Sequence, residues 1–159
     1  MSLSPIQCID SRITSFFLQK GNSAPSQKVT LDFAFRIKKE PLKKVQNGSI
    51  WHMHLCHSMK GHYEYAYHLD AKCFIGSNLI EGGLPSEQAV RSCFGVILGS
   101  AREFILLVSS RGANGAFNLP YVLPGQLIIE EEQPYDGWIV YKMKTVEGSA
   151  TRNTEGSFS

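Results

Sequence analysis

Charge of one sign is nearly absent as an excess. Lys and Arg number 16 against 14 Asp and Glu, leaving a formal net charge of +2. So small an imbalance gives no field strong enough to argue for a nucleic-acid partner. Cysteine is sparse: four residues, Cys8, Cys56, Cys73 and Cys93, stand far apart with no C-x-x-C. Free thiols in a reducing cytoplasm are therefore expected, since an even count alone does not argue for disulfides. No run of about 18 consecutive apolar residues occurs, so no membrane span is expected. The Met1–Pro5 start lacks a basic, then apolar, leader, so no signal peptide is expected. Gly82-Gly83 has no Lys-Ser/Thr after it, which excludes a P-loop, and no G-x-S-x-G surrounds Ser109-Ser110. No internal repeat is present. These absences leave a cytoplasmic, non-enzymatic protein without a cofactor as the starting expectation.

What is there can build a core. The chain has 159 residues and is 43% hydrophobic, which suits one domain. We assign that domain to residues 1–144. The Gly-, Ser- and Thr-rich remainder, 145–159, reads as a disordered tail.

The first strand spans Ile6 to Leu18, bent and carrying a bulge, and ends at the turn cluster Gly21–Pro25. Lys28 to Ile37 alternates, with Val29, Leu31, Phe33, Phe35 and Ile37 on one face, as a half-buried strand must. Lys38, Lys39, Lys43 and Lys44 around Pro41 form a basic connection, read as a solvated loop, with contact to an acidic partner as the sharper alternative. Asn47-Gly48 then signals a turn. Ile50 to Ser58 puts Trp51, Met53 and Leu55 on one face and His52, His54 and Cys56 on the other. After a turn at Lys60-Gly61, His62 to Ala71 aligns Tyr63, Tyr65, Tyr67 and Leu69. The simplest sheet is a four-stranded antiparallel meander with one apolar face.

That face needs a cover. Ser86 can cap a helix running to about Arg111, with Gly112 placed for a left-handed C-cap. Val90, Phe94, Ile97, Ala101, Phe104, Ile105 and Val108 recur at helical spacing, a stripe for the sheet or a neighbouring subunit. Gly95 and Gly99 lie one turn apart and suit either close approach of a second helix or a bend. Leu127–Glu131 and Trp138–Lys142 flank the turn Pro134–Gly137 and predict a C-terminal hairpin. The fold class is α+β: a four-stranded antiparallel sheet followed by a long helix and a distinct C-terminal segment. Six strand aromatics, Phe33, Phe35, Trp51, Tyr63, Tyr65 and Tyr67, together with Met53, exceed what one helix can hide, so the surplus is expected to serve self-association or extended-chain binding.

One constellation suggests chemistry. In His52-x-His54-x-Cys56 three ligand-type side chains share a strand face, and His62 or His68 on the next strand could add a fourth; imidazole and thiolate suit zinc. The competing reading is a polar, solvent-facing strand face. No carboxylate with matched spacing accompanies it. Glu130-Glu131-Glu132 reads as a solvated strand end.

The run Cys93-Phe94-Gly95-Val96-Ile97-Leu98-Gly99-Ser100-Ala101-Arg102-Glu103-Phe104-Ile105, then Val108-Ser109-Ser110-Arg111-Gly112 and Asn118-Leu119-Pro120, resembles the long-helix signature of the SecB protein-export chaperone family. The Ile6-Gln7-x-Ile9 start and the order of strands, crossover loop and helix agree, over about residues 6 to 123. The resemblance implies an ATP-independent holdase, a dimer of dimers, that binds unfolded precursor polypeptides for export and passes them to the SecA translocation motor. It implies an oligomer helix built on Val90, Phe94, Gly95, Ile97, Gly99, Ala101, Phe104 and Val108. It implies a client-binding apolar sheet face of Phe33, Phe35, Trp51, Met53, Tyr63, Tyr65 and Tyr67. Leu98-Gly99-Ser100 stand where the family often has Pro and an aromatic, Leu127 to Lys142 replace its second helix, and Ile13–Phe17 lack its docking acids. Glu64 and Asp70 are the remaining candidates for that docking. A SecB-like chaperone dedicated to one client, such as an antitoxin, fits these departures, and a metal-binding enzyme or sensor on His52, His54 and Cys56 is the rival from another class.

Overall fold

The computed structural model describes residues 5–20, 28–29, 31–59, 63–111, 117, 119, 122, 124–145 and 150–151. In chain order the elements are β1 (Ile6–Lys20), β2 (Lys28–Val29), β3 (Asp32–Lys38), β4 (Lys43–Val45), β5 (Gly48–Met59), β6 (Tyr63–Gly76), β7 (Ile80–Glu81), β8 (Leu84–Pro85), α1 (Glu87–Ser109), β9 (Leu127–Glu131), β10 (Trp138–Thr145) and β11 (Ala150–Thr151). The class is α+β, one large antiparallel sheet and one α-helix among the described residues.

The sheet has seven strands, in the order β1-β6-β5-β3-β10-β9, with β4 also on β5. Two corrections to the four-stranded meander follow. First, the C-terminal hairpin is part of this sheet: β10 pairs with β3 from Trp138↔Lys38 to Lys144↔Asp32, so β3 is an interior strand. An open edge on so apolar a strand would leave its N–H and C=O groups unpaired, and β10 satisfies them. Second, β1 pairs with β6 and not with β3. β3, β5 and β6 lie side by side in chain order while β1 lies beyond β6, giving a Greek-key order read backwards. The expected bulge in β1 is there twice, at the register shifts between Cys8 and Asp10 and between Ile13 and Ser15. The basic connection is partly strand: β4 follows β3 along the same edge of β5. Asn47 has a positive φ of 68° at the turn before β5, in the left-handed region that Asn tolerates better than most residues.

Alternation decides the faces. Phe33, Phe35, Ile37, Trp51, Met53, Leu55, Tyr65, Tyr67, Leu69, Ala71, Cys73 and Ile75 all point to one side and are buried. Across them lies α1, opened by Ser86, whose hydroxyl accepts from the Ala89 amide at 3.2 Å. Ser86→Ala should cost about 1 kcal/mol, read as a lower urea midpoint at unchanged slope. The helix ends at Ser109, two residues before the expected end, and Gly112 lies outside the described residues. Ser109 is buried and its Oγ accepts from the Phe117 amide at 2.8 Å, while Arg102 Nε donates to the Leu119 carbonyl at 3.2 Å. These two side chains pin the segment after the helix, so that Phe117, Leu119 and Val122 complete the core. Arg91 donates to the Leu127 carbonyl at 2.9 Å and ties α1 to the C-terminal hairpin.

Of the tail expected from residue 145, Thr145 is the buried end of β10 and exchanges two 3.0 Å hydrogen bonds with Leu31. Ala150–Thr151 pair with β2, and residues 146–149 and 152–159 lie outside the described residues. By length and composition alone α1 is apolar enough to cross a membrane, contrary to the expectation from the uninterrupted-run test. Its inner face is packed on the sheet.

Candidate functional site

The apolar sheet face expected to hold clients is the core. Phe33, Phe35, Trp51, Met53, Tyr65 and Tyr67 are at most 2% exposed, because α1 and the segment after it lie over them. The Tyr63 side chain lies outside the described residues. A client could reach this face only by displacing the helix. The helix stripe divides in the same way. Val90, Phe94, Ile97 and Ala101, expected at a helix seam, are buried against their own sheet. Gly99 has open space around it among the described residues.

Apolar side chains also remain exposed on α1. Val96, Phe104, Leu106, Leu107 and Val108 are exposed, Leu107 by 64%. Phe104 meets Phe16 of β1 edge-on at 6.2 Å, and the hydroxyls of Ser11 and Ser100 lie 2.8 Å apart. Between β1 and α1 runs an open groove of about 490 Å³, lined by Ile13, Leu69, Phe104 and Leu107 among others. On the far side of the groove β1 ends the sheet, and its Ile9 and Phe17 are also exposed. Among the described residues no further strand pairs with β1 beyond β6.

The other sheet face is polar. Cys56 sits directly across from His68, and His54 across from Asp70. Cys56 Sγ lies 2.9 Å from His68 Nδ1, and the His54 and His68 ring centres are 5.4 Å apart. The donor atoms of His54, Cys56 and His68 all fall within 4.8 Å of one another. His52 is not one of this group: it lies 3.7 Å from Asp70 and stacks obliquely on Trp138 at 5.0 Å. His62 lies outside the described residues. Burial lowers the His54 pKa, helped by the Arg36 guanidinium 3.0 Å from its Nδ1, and Asp70 opposes this from 4.0 Å. Burial raises the Cys56 pKa. At neutral pH these are a neutral imidazole and a protonated thiol. Of the two docking acids, Glu64 accepts from Gln19 Nε2 at 2.9 Å, and Asp70 is flanked by His52 and His54.

One residue escaped the sequence reading. His57 is 4% exposed, surrounded by Phe33, Tyr65 and Tyr67 with ring centres at 4.2, 5.2 and 5.7 Å. Among the described residues neither ring nitrogen has a hydrogen-bond partner, nor has the Tyr67 hydroxyl. Burial alone drives its pKa down to about 3. Parity could have found it, since His57 follows Trp51, Met53 and Leu55 on the apolar face of β5. The four cysteines are free thiols, with Cys73 and Cys93 buried. A hydrogen bond to Cys93 and then burial push the Cys73 thiol far up. No family model, no curated protein and no solved structure matches this chain.

Proposed function

We propose that this chain is a cytoplasmic, ATP-independent holdase of the SecB kind, self-associating and binding non-native polypeptides. The observation that carries the reading is the apolar surface left over on α1 after its packing on the sheet: Val96, Phe104, Leu107 and Val108 still stand in water. Water-exposed apolar side chains grouped on one face mark contact with another chain. The groove between β1 and α1 mixes apolar side chains, Ile13, Leu69, Phe104 and Leu107, with polar and charged ones, Ser11, Arg12, Ser100 and Glu103, which suits unfolded segments of varied sequence. Sequence-independent backbone pairing plus many weak apolar contacts gives capture and release without nucleotide. Arg102 and Ser109 hold Leu119 and Phe117 over the core, so the exposed side chains of α1 are presented on a fixed support.

A dedicated client is the better-supported version than hand-over to the SecA motor. Glu64 and Asp70, the acids left for motor docking, already engage Gln19 and the histidines.

The test pairs mass in solution with suppression of aggregation of a denatured model protein, at stoichiometric ratio and without ATP. Wild type should be multimeric and protective. Phe104→Ser with Leu107→Glu should keep the circular dichroism spectrum and lose protection, multimerisation or both. A compact monomer that ignores denatured chains would end this reading.

A further inference from the structure

We infer that His54, Cys56 and His68 form a three-ligand site for Zn²⁺ on the polar face of the sheet. The inference goes beyond the holdase reading and does not depend on it. Three observations meet at one point. The first is proximity: one imidazole, one thiol and a second imidazole, from adjacent strands, present donor atoms within 4.8 Å of each other. A tetrahedral zinc, with bonds of about 2.3 Å to sulfur and 2.0 Å to nitrogen, keeps its donors roughly 3.5 Å apart, so small side-chain rotations suffice. The second is rigidity: Cys56 and His68 are a directly opposed cross-strand pair inside a continuous ladder, so the ligand backbones are held by β-sheet hydrogen bonds rather than by a loop. The third is support around the ligands. Asp70 sits 4.0 Å from His54 Nε2, on the side away from Nδ1. With zinc on Nδ1, Nε2–H turns toward that carboxylate, the arrangement that fixes the tautomer of a zinc-bound histidine.

Arg36 stands in the way without the ion. Its guanidinium lies against His54 Nδ1 at 3.0 Å and over the Trp138 ring at 5.3 Å. On binding, it withdraws from Nδ1 while keeping the Trp138 face. Zinc displaces the Cys56 thiol proton to solvent and accepts lone pairs from the two neutral imidazoles; no oxidation state changes. The residual positive charge faces Asp70. Cys56 and His68 also border a groove of about 390 Å³ that runs toward Lys142 and Glu132. That groove leaves the fourth coordination position open to water, the pattern of a zinc that is not purely structural.

Cobalt titration of the reduced full-length chain tests the site, with Co²⁺ as a coloured stand-in and Zn²⁺ as competitor. One equivalent should give a thiolate-to-cobalt absorption in the near ultraviolet and tetrahedral bands in the visible, both abolished by Zn²⁺. Cys56→Ser should remove the thiolate band. His68→Gln, at an exposed position that leaves the fold intact by circular dichroism, should weaken binding by more than about tenfold. His52→Asn should leave it unchanged. The assignment fails if no equivalent binds, if the thiolate band survives Cys56→Ser and so comes from Cys8, Cys73 or Cys93, or if His68→Gln binds like wild type.

Discussion

Acidification from pH 7 to 4 is expected to destabilise this chain by several kcal/mol, and His57→Leu to remove most of that loss. His57 titrates near 6.5 in the unfolded chain and at about 3 in the folded one. Between those values the unfolded state binds the extra proton, so stability falls as the pH drops through 6.5 and keeps falling until about 3. The whole span corresponds to roughly 5 kcal/mol. That is comparable with the entire stability of many domains, at about 5–15 kcal/mol. The cause is physical isolation: an imidazolium at this place would face Phe33, Tyr65 and Tyr67 with no acceptor for either N–H. Leucine is close in volume, suits the apolar surroundings and carries no unsatisfied nitrogen. Its stability at pH 7 should equal or exceed wild type. The measurement is the urea midpoint at each pH. Two curves that fall in parallel would show that some other group governs acid unfolding.

Phe94→Ala should cost about 3–5 kcal/mol, the range for emptying a large aromatic from a packed core. Phe94 is 1% exposed and meets Phe33 and Phe35 in T-shaped contacts at 4.9 and 5.8 Å. The helix that covers the sheet is thus fastened through its first half by one ring wedged between two strand rings. Val96→Ala, two residues on and on the exposed face, should change stability by no more than about 0.5 kcal/mol. Chemical denaturation of both variants gives the comparison. Similar losses would mean that the outer face is covered too. Ala101→Trp belongs with Phe94 in this respect. Ala101 is fully buried against the sheet, so overpacking there strains the subunit itself and does not report on contacts between subunits.

The strands were the most legible part of the sequence because period two is unambiguous. Phe33-x-Phe35-x-Ile37 and Trp51-x-Met53-x-Leu55 declare their buried face without reference to anything distant. The Ser86 cap and the C-terminal hairpin were legible for the same reason, since each is a local signal. Partnership between strands was not. That β10 lies against β3, and β1 against β6, depends on which long connection crosses the sheet, and no local pattern encodes that. The helix misled in one direction. Apolar residues surround most of α1, so spacing alone could not separate Phe94, which is buried, from Phe104, which is partly exposed beside β1. The histidine cluster shows the same boundary. His52 and Cys56 are four apart on one strand, about 13 Å along it, too far for His52, His54 and Cys56 to share one ion together. The compact group needs a neighbour across the ladder. His68 becomes that neighbour only once the register of β5 against β6 is known.

The two bulges of β1 bear on what happens when copies of this protein crowd together. An uninterrupted, fifteen-residue outer strand carrying Ile9 and Phe17 would be a template for endless stacking of like upon like. Each extra residue shifts the hydrogen-bonding phase and sharpens the twist, so an incoming strand fits one short stretch and then falls out of step. A rim broken in phase at two places is therefore a poor seed for a fibril.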